Sequence, residues 1–327
     1  MKFLGFLLLL LVLAAAAIGY GMDAPYGPST ETFVDVAPGT SSKTIAAQME
    51  NSGIIRSRYG FDLLRLKKGG TLKAGEYRFD RPIPISDVYD RLIQGDVYTQ
   101  ALTIPEGYNI FDVAVAAENA GFGKRTAFLA AERQHTELIA DLLPPSAHPD
   151  SLEGYLFPDT YRFSRHATPL QILTAMVHRF RQVSSQLEID RTHMVQTVTM
   201  ASIIEKEVAQ ADERPLVAGV FTNRFAKSMP LATDPTVIYA ALLDNRWRGA
   251  IYASDLQSPS LYNTYKHPGL PPGPISNPGI ASLKAALHPA QTDYLYFVSD
   301  AAGHTRFSVD LKEHAQQVQA YRRTEKR

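Results

Sequence analysis

The sequence predicts an α+β protein with an N-terminal membrane helix, a small β-α-α-β unit and a larger, mostly helical domain with short strands. The chain has 327 residues, of which 45% are hydrophobic and 20% are charged, so it can bury the cores of about two domains. An uncharged segment, Phe3–Met22, precedes them. From about residue 101 the hydrophobic pattern repeats mostly every ~3.6 residues, which is typical of helices.

The uncharged segment is long enough to cross a membrane. It contains twenty residues, and a helix of about that length spans the ~30 Å hydrocarbon core of a bilayer. The neighbouring charge is Lys2, so the positive-inside rule places the N-terminus in the cytoplasm and the rest of the chain outside it. A cleaved signal peptide is the alternative, since Ala14–Ala17 could supply a cleavage site. We expect an anchor over residues 1–22 and a polar, proline-bearing linker over residues 23–32.

A small β-α-α-β unit with one added helix is predicted over residues 33–100. Alternating apolar residues indicate its strands, and capping residues with closing glycines indicate its helices. The predicted elements are, in order, a strand Phe33–Val36, helices Ser42–Asn51 and Arg58–Leu66, a strand Gly75–Phe79, and a helix capped by Ser86 and ending at Gly95.

The second domain, predicted over residues 101–327, is mostly helical. Capping residues, prolines at first helical positions and apolar stripes indicate its helices, and a hairpin is predicted near the C-terminus. The predicted elements are a helix Ile110–Ala120 opened by Asn109 and Asp112, a helix opened by Thr168-Pro169, helices His193–Ala209 and Arg214–Ala226, helices capped by Asp234 and Asn277, a hairpin of Tyr294–Ser299 and Thr305–Val309, and a last helix capped by Asp310.

Composition and motifs exclude several function classes. Lys+Arg and Asp+Glu both number 33, so no excess positive charge favours nucleic acid or an anionic membrane surface as a partner. The absence of cysteine excludes disulfides, thiolate metal sites and cysteine nucleophiles. No H-E-x-x-H, G-x-S-x-G or G-x-G-x-x-G motif is present, so we predict neither a metal site nor a cofactor. The remaining candidate function is acid/base chemistry by carboxyl groups, acting on a neutral polymer or a small polar ligand.

The candidate acid lies in an apolar helix that includes Ala201–Val208. Small residues beside Glu205 leave room for a ligand, whereas larger residues surround Glu207. A carboxyl that shares a face with apolar groups loses hydration and stays protonated near neutrality, as a general acid requires. This favours Glu205 as the acid. The alternative is that either glutamate forms an ion pair with a neighbouring cation: Arg214, Arg224 or Lys206.

Three other stretches combine polar and aromatic groups that could bind sugar rings. The first is Leu152–Tyr161, the second joins Asn223-Arg224 with Met229–Tyr239, and the third is the proline- and glycine-rich Tyr262–Gly279. The proline and glycine of the third stretch predict a stiff loop, which is typical of a cleft wall. The alternatives are that Asp234 is only a helix cap and that the third stretch is only a structural connection.

These motifs resemble those of the endolytic murein transglycosylase (MltG, YceG-like) family. The resemblance extends over about residues 33–320, and Lys73–Phe79 matches the family's LysM-like subdomain. It implies a LysM-like unit over residues 33–100 and a YceG-like catalytic domain over residues 101–327. The other matching segments are Glu153–Tyr161, Ala201–Glu207, Leu231–Tyr239, Tyr262–Tyr265, Gly269–Ile275 and His288–Ala290.

The resemblance also implies an activity and a location. The expected protein is a single-pass enzyme of the bacterial inner membrane that cuts nascent peptidoglycan strands outside the cytoplasm, leaves 1,6-anhydroMurNAc ends and terminates strand growth. Cell-wall synthases (penicillin-binding proteins) are its implied partners. The family's catalytic glutamate, acting first as acid and then as base, maps onto Glu205. The residues expected to line the glycan cleft are Glu153, Tyr155, Asn223, Asp234, Tyr262 and Asn263.

Two alternatives stay open at this point. The first is a water-using muramidase, with Glu205 as the acid and Asp234 or Glu153 as its partner. The second is a non-catalytic scaffold that binds peptidoglycan through the LysM-like unit. One departure from the family pattern, Ser260-Leu261 where Ser-Pro is expected, should change the rigidity of that loop and little else.

Overall fold

The structure, a computed structural model, describes residues 19–20, 22, 24–208, 210–299 and 304–325. Helices and two-stranded sheets make this part of the chain an α+β protein, as predicted. It divides into two compact units between Gln100 and Ala101. The predicted anchor, residues 1–22, lies almost entirely outside the described residues, and no described helix is long and apolar enough to span a bilayer.

The first unit has the predicted order of strands and helices. Its strands pair antiparallel, with Val34 opposite Tyr77, and both side chains are buried in a core with Phe61 and Leu92. The last helix begins one residue before Ser86, after a proline at the cap position. The elements are β1 (Thr32–Val36), α1 (Ser42–Asn51), α2 (Arg58–Lys68), β2 (Gly75–Phe79) and α3 (Ile85–Gln94).

The stretch predicted as a linker is attached to the first unit. Tyr26 and Ile83 exchange two backbone hydrogen bonds, each of 3.1 Å. The guanidinium of Arg56 also lies over the Tyr26 ring, 5.1 Å from its centre. The chain from about residue 24 is therefore packed against this unit and does not hold it at a distance.

The second unit is mostly helical, as predicted. Helix α5, the β3-β4 sheet and the short helix α10 were not predicted. The elements are β3 (Gln100–Thr103), α4 (Ile110–Asn119), α5 (Arg125–Gln134), β4 (Thr160–Phe163), α6 (Pro169–Gln186), α7 (Met194–Glu207), α8 (Arg214–Ala226), α9 (Asp234–Leu243), α10 (Ala253–Leu256), α11 (Ile280–Leu287), β5 (Tyr296–Ser299), β6 (Thr305–Ser308) and α12 (Leu311–Glu325).

Helix α7 lies inside the second unit and positions the candidate acids. It packs against α8 and α11. Val198 and Ala201 belong to one hydrophobic cluster, whereas Ile203 and Ile204 belong to another. A helix that is apolar on nearly every side is buried on nearly every side, which was expected from its sequence. Its C-terminal turn carries Glu205 and Glu207.

Two predicted helix caps are wrong. Thr233 occupies the N-cap position of α9, and Asp234 is the first helical residue. Gly279 occupies the N-cap position of α11. The side chain of Asn277 instead accepts hydrogen bonds from the backbone of Gly154 and Leu156, each at 2.9 Å. Proline after a polar residue indicated a helix start in both places, but long-range contacts determined which residue became the cap.

Candidate active site

Glu205, the predicted acid, has a nearly buried side chain that is 4% exposed. Its Oε1 accepts a hydrogen bond of 2.8 Å from Nη2 of Arg214, and its Oε2 accepts one of 2.9 Å from the backbone N–H of Gly279. Both carboxyl oxygens of Glu205 thus have donors from other parts of the chain. Glu205 therefore joins α7 to the starts of α8 and α11. This is the ion-pair alternative that the sequence left open, and the role of Glu205 as the acid stays a prediction.

Glu207, two residues further on, is a second candidate acid. Burial, reinforced by the negative charge of Asp234 and opposed by Arg224, raises the pKa of Glu207 to about 7. No group among the described residues donates a hydrogen bond to its carboxyl. A carboxyl that titrates near neutrality and has no competing partner can both give and take a proton.

Asp234, whose charge acts on this carboxyl, is held in place by a tyrosine and a cluster of threonines. Tyr265 donates a hydrogen bond of 2.7 Å to Oδ1 of Asp234. The backbone N–H of Thr233 donates to Oγ1 of Thr264 at 3.1 Å, and that oxygen lies 2.8 Å from Oγ1 of Thr236. These contacts fix the start of α9 to the segment that carries Tyr265. Asp234 itself remains exposed, so it can face a ligand.

Arg224 and Asn223 make structural contacts with the chain before β5. Nε of Arg224 donates to the carbonyl of Leu295 at 2.7 Å. Asn223, predicted in the cleft, donates from Nδ2 to the carbonyls of Thr292 at 2.6 Å and Tyr294 at 3.0 Å. The Nδ2 group of Asn223 therefore holds this segment, and its role in binding stays a prediction.

Asn263, also predicted in the cleft, is fully buried. Its Nδ2 donates to the carbonyls of Leu256 at 3.1 Å and Ser258 at 2.9 Å, and its Oδ1 accepts from the backbone N–H of Tyr265 at 3.1 Å. A residue with no exposed surface cannot contact a glycan. Asn263 instead shapes the loop that presents Tyr262 and Tyr265, which corrects its predicted role.

The structure brings Glu153, Tyr155 and Tyr262 together at one cavity of about 580 Å³. Tyr262 is partly exposed and packs on Tyr239, with ring centres 5.1 Å apart. Tyr155 is only 3% exposed and packs edge-on against a core phenylalanine. Of the three, Tyr262 offers the largest accessible surface to a sugar ring. The other lining residues are Leu143, Ala147–Ser151, Val195, Ser260, Leu261 and Pro272–Pro274.

Glu153 is a buried carboxyl that connects distant loops. Its Oε2 accepts a hydrogen bond of 2.9 Å from the backbone N–H of Ile110, and its Oε1 accepts one of 3.1 Å from Nδ2 of Asn277. Burial raises the pKa of Glu153 to about 8. Because its oxygens serve these buried hydrogen bonds, Glu153 is poorly placed to be the partner carboxylate of a muramidase.

Glu153→Gln is expected to remove part of the pH dependence of stability. The folded protein raises the pKa of Glu153 from 4.5 to about 8, so the protonated carboxyl stabilises the fold fully below about pH 4.5. This contribution, of the order of several kcal/mol, is lost as the pH rises through about 8. Thermal melts at about pH 5, 7 and 9 should show a steeper loss of stability for the wild type than for the variant. Parallel curves would contradict this role of Glu153.

The fold and the site define a class of protein: an α+β enzyme with two candidate acids, Glu205 and Glu207, in the last turn of one inner helix. The chain belongs to the YceG-like family, whose model matches residues 34–320. This confirms the family that the motifs indicated.

Known relatives agree with the family assignment. The endolytic murein transglycosylase of Bacillus subtilis is 33% identical over 89% of this chain and 85% of that protein. The protein of the same name from Streptococcus pneumoniae is 29% identical over 97% of this chain, which corresponds to 64% of the pneumococcal protein. A crystal structure of a YceG-like protein from Listeria monocytogenes is 32% identical and superposes with a TM-score of 0.57, covering 88% of this chain and 99% of that one.

Proposed function

We propose that the protein is an endolytic murein transglycosylase that cleaves the MurNAc–GlcNAc bond within peptidoglycan strands and leaves 1,6-anhydroMurNAc ends. Two curated relatives carry this enzyme name, and the family match covers residues 34–320. The observation that supports the proposal within this chain is the place of Glu207 in the last turn of the inner helix α7, where burial and the charge of Asp234 raise its pKa to about 7. Such a group suits a reaction in which it must first donate and then accept a proton.

In the proposed reaction Glu207 acts twice. Its protonated carboxyl donates to the glycosidic oxygen, which leaves with the GlcNAc side of the strand. The resulting carboxylate removes the proton from the C6 hydroxyl of MurNAc as that oxygen attacks C1 and closes the anhydro ring. The proton returns to Glu207, and no water is consumed. The exposed carboxylate of Asp234, held by Tyr265, would stabilise the positive charge that develops at C1.

The substrate, location and partners follow from the same proposal. We infer that the uncharged segment Phe3–Met22 anchors the chain in the bacterial inner membrane, with both units on the extracytoplasmic side. The first unit would act as a LysM-like module that holds glycan near the second. Cleavage of nascent strands would terminate their growth, and cell-wall synthases would be the corresponding partners.

A water-using muramidase is the second candidate, because Asp234, a possible partner carboxylate, lies close enough to Glu207 to raise its pKa. Uncrosslinked glycan strands digested by the full chain in oxygen-18-labelled water separate the two reactions by mass spectrometry. We expect internal fragments that end in 1,6-anhydroMurNAc and contain no label. Labelled reducing ends would establish the muramidase instead, and strands that bind but stay intact would support the non-catalytic scaffold.

A further inference from the structure

Helix α2 of the first unit exposes a row of large apolar side chains. Tyr59, Leu63 and Leu66 are 78%, 48% and 85% exposed. Their spacing of four and then three residues places them on one face of the helix. The opposite face carries Phe61 and Leu64, which are buried in the core of the unit. Helix α2 therefore has two apolar faces, and only one of them is covered by the described residues.

The exposed face continues into an apolar cavity of about 400 Å³. Tyr59 and Leu63 form part of its wall, and Tyr26 lies across from them with Arg56 over its ring. A contiguous exposed apolar surface of this kind is typical of a site that binds a membrane or another molecule. The remaining wall is formed by Met22, Ala24, Ile54, Ile55, Ser57, Gly60, Ile83 and Ile85.

Basic side chains outnumber acidic ones along the segment that carries this apolar surface. Residues 56–68 contain five basic side chains and one acidic side chain, Asp62. Arg58 and Lys68 form ion pairs of 2.5 Å and 2.7 Å with Glu50 and Asp90. Arg65 and Lys67, in the last turn of α2, are exposed beside Leu66. A basic helix with exposed leucine and tyrosine has the composition of helices that lie in the interface of an anionic bilayer.

The position of the cavity in the chain indicates what covers it. Met22, the last residue of the uncharged segment Phe3–Met22, is part of the cavity wall. The backbone pairing of Tyr26 with Ile83 leaves almost no free chain between that segment and the unit. A residue spans at most about 3.6 Å, so Tyr26, four residues after Met22, lies within about 14 Å of where the segment would leave the bilayer.

We propose that this surface of α2, defined by Tyr59, Leu63, Leu66 and the adjoining cavity, docks on the membrane from which the chain emerges. The three apolar side chains enter the interface, and Arg65 and Lys67 bind anionic lipid headgroups. The choice of a lipid occupant rests on the proposed membrane attachment. Docking gives the first unit a second membrane contact, so it fixes the orientation of that unit and does not merely tether it.

The absence of cysteine permits a direct test. Leu66→Cys and Lys43→Cys, the latter an exposed control position on α1, are each labelled with an environment-sensitive fluorophore in the full chain. The labelled chains are reconstituted in phosphatidylglycerol vesicles that contain spin-labelled lipid. We expect strong quenching at position 66 and at least about twofold less at position 43. Phosphatidylcholine vesicles, or added Arg65→Glu and Lys67→Glu substitutions, should weaken the quenching at position 66.

Several results would overturn the proposal, and each has a different meaning. Equal quenching at positions 66 and 43 would show attachment without docking. A chain that does not sediment with the vesicles would remove the membrane attachment as well as the docking. A fluorescence change at position 66 caused by glycan strands without vesicles would assign the surface to glycan. Energy transfer between labelled copies in detergent would assign it to self-association.

Discussion

Glu207→Gln is expected to lower the rate of glycan cleavage by about 10²- to 10⁴-fold, the usual contribution of a general acid. The amide has nearly the same shape as the carboxyl but cannot donate a proton to the leaving oxygen. Stability should be unchanged or slightly higher, because the substitution removes a group whose charged form is disfavoured by burial and by Asp234. The measurement is the initial rate of fragment release per folded molecule, together with a thermal melt.

Glu205→Gln is the matched control, and the opposite result is expected. It leaves the buried Arg214 without the charge that lies 2.8 Å from its Nη2. Glu106, 3.7 Å from Nη1, compensates only in part. We expect a loss of roughly 1–3 kcal/mol in the free energy of unfolding. The cleavage rate per folded molecule should change by less than about tenfold, a small fraction of the effect of losing an acid. If Glu205→Gln abolishes cleavage while Glu207→Gln does not, the acid is Glu205.

Gly154→Ala is expected to destabilise the second unit by about 2–5 kcal/mol. Gly154 has a φ of +87°, which disfavours any residue with a Cβ atom. An added Cβ would also lie 2.5 Å from Cγ of Pro274 and 2.8 Å from Cγ1 of Val198. Neither atom belongs to a flexible side-chain end, so the backbone beside the cavity must move. Chemical denaturation measures the loss.

Gly123→Ala separates the two causes of that loss. Gly123 has a φ of +101°, but an added Cβ would meet no heavy atom within 4 Å. Only the backbone strain applies there, so we expect a loss of about 1 kcal/mol. Equal losses in the two variants would show that the close approach of Gly154 to Pro274 has no energetic consequence.

Local signals predicted most helix starts correctly. Asn109 and Asp112 form the expected capping box of α4, in which each side chain accepts a hydrogen bond from the backbone of the other. Thr168 caps α6 through the backbone N–H of Gln171, at 3.3 Å. The two partners of such a contact lie within three residues of each other, so the local sequence is enough to predict it. The apolar pattern of α7 likewise predicted its burial.

Long-range contacts determined the parts that the sequence could not predict. The spacing along α7 separates the faces of Glu205 and Glu207, but it does not show that Gly279, 74 residues away, donates a hydrogen bond to Glu205. Asn277, missed as a structural residue, contacts Gly154, which is 123 residues distant. The sequence therefore predicted the same role, lining the cleft, for Asn223, Asn263 and Asp234. In the structure the two asparagines donate hydrogen bonds to backbone carbonyls, whereas Asp234 remains exposed.

The pH dependence of kcat/KM tests most directly the claim that Glu207 is the acid, because this parameter reports the pKa of the acid in the free enzyme. Activity should fall as the pH rises through about 7, since Glu207 then loses its proton. The same decrease in kcat/KM near pH 7 should be present in Glu205→Gln, measured per folded molecule. A decrease centred near the ordinary carboxyl pKa of 4.5, or one that is absent in Glu205→Gln, would contradict the account.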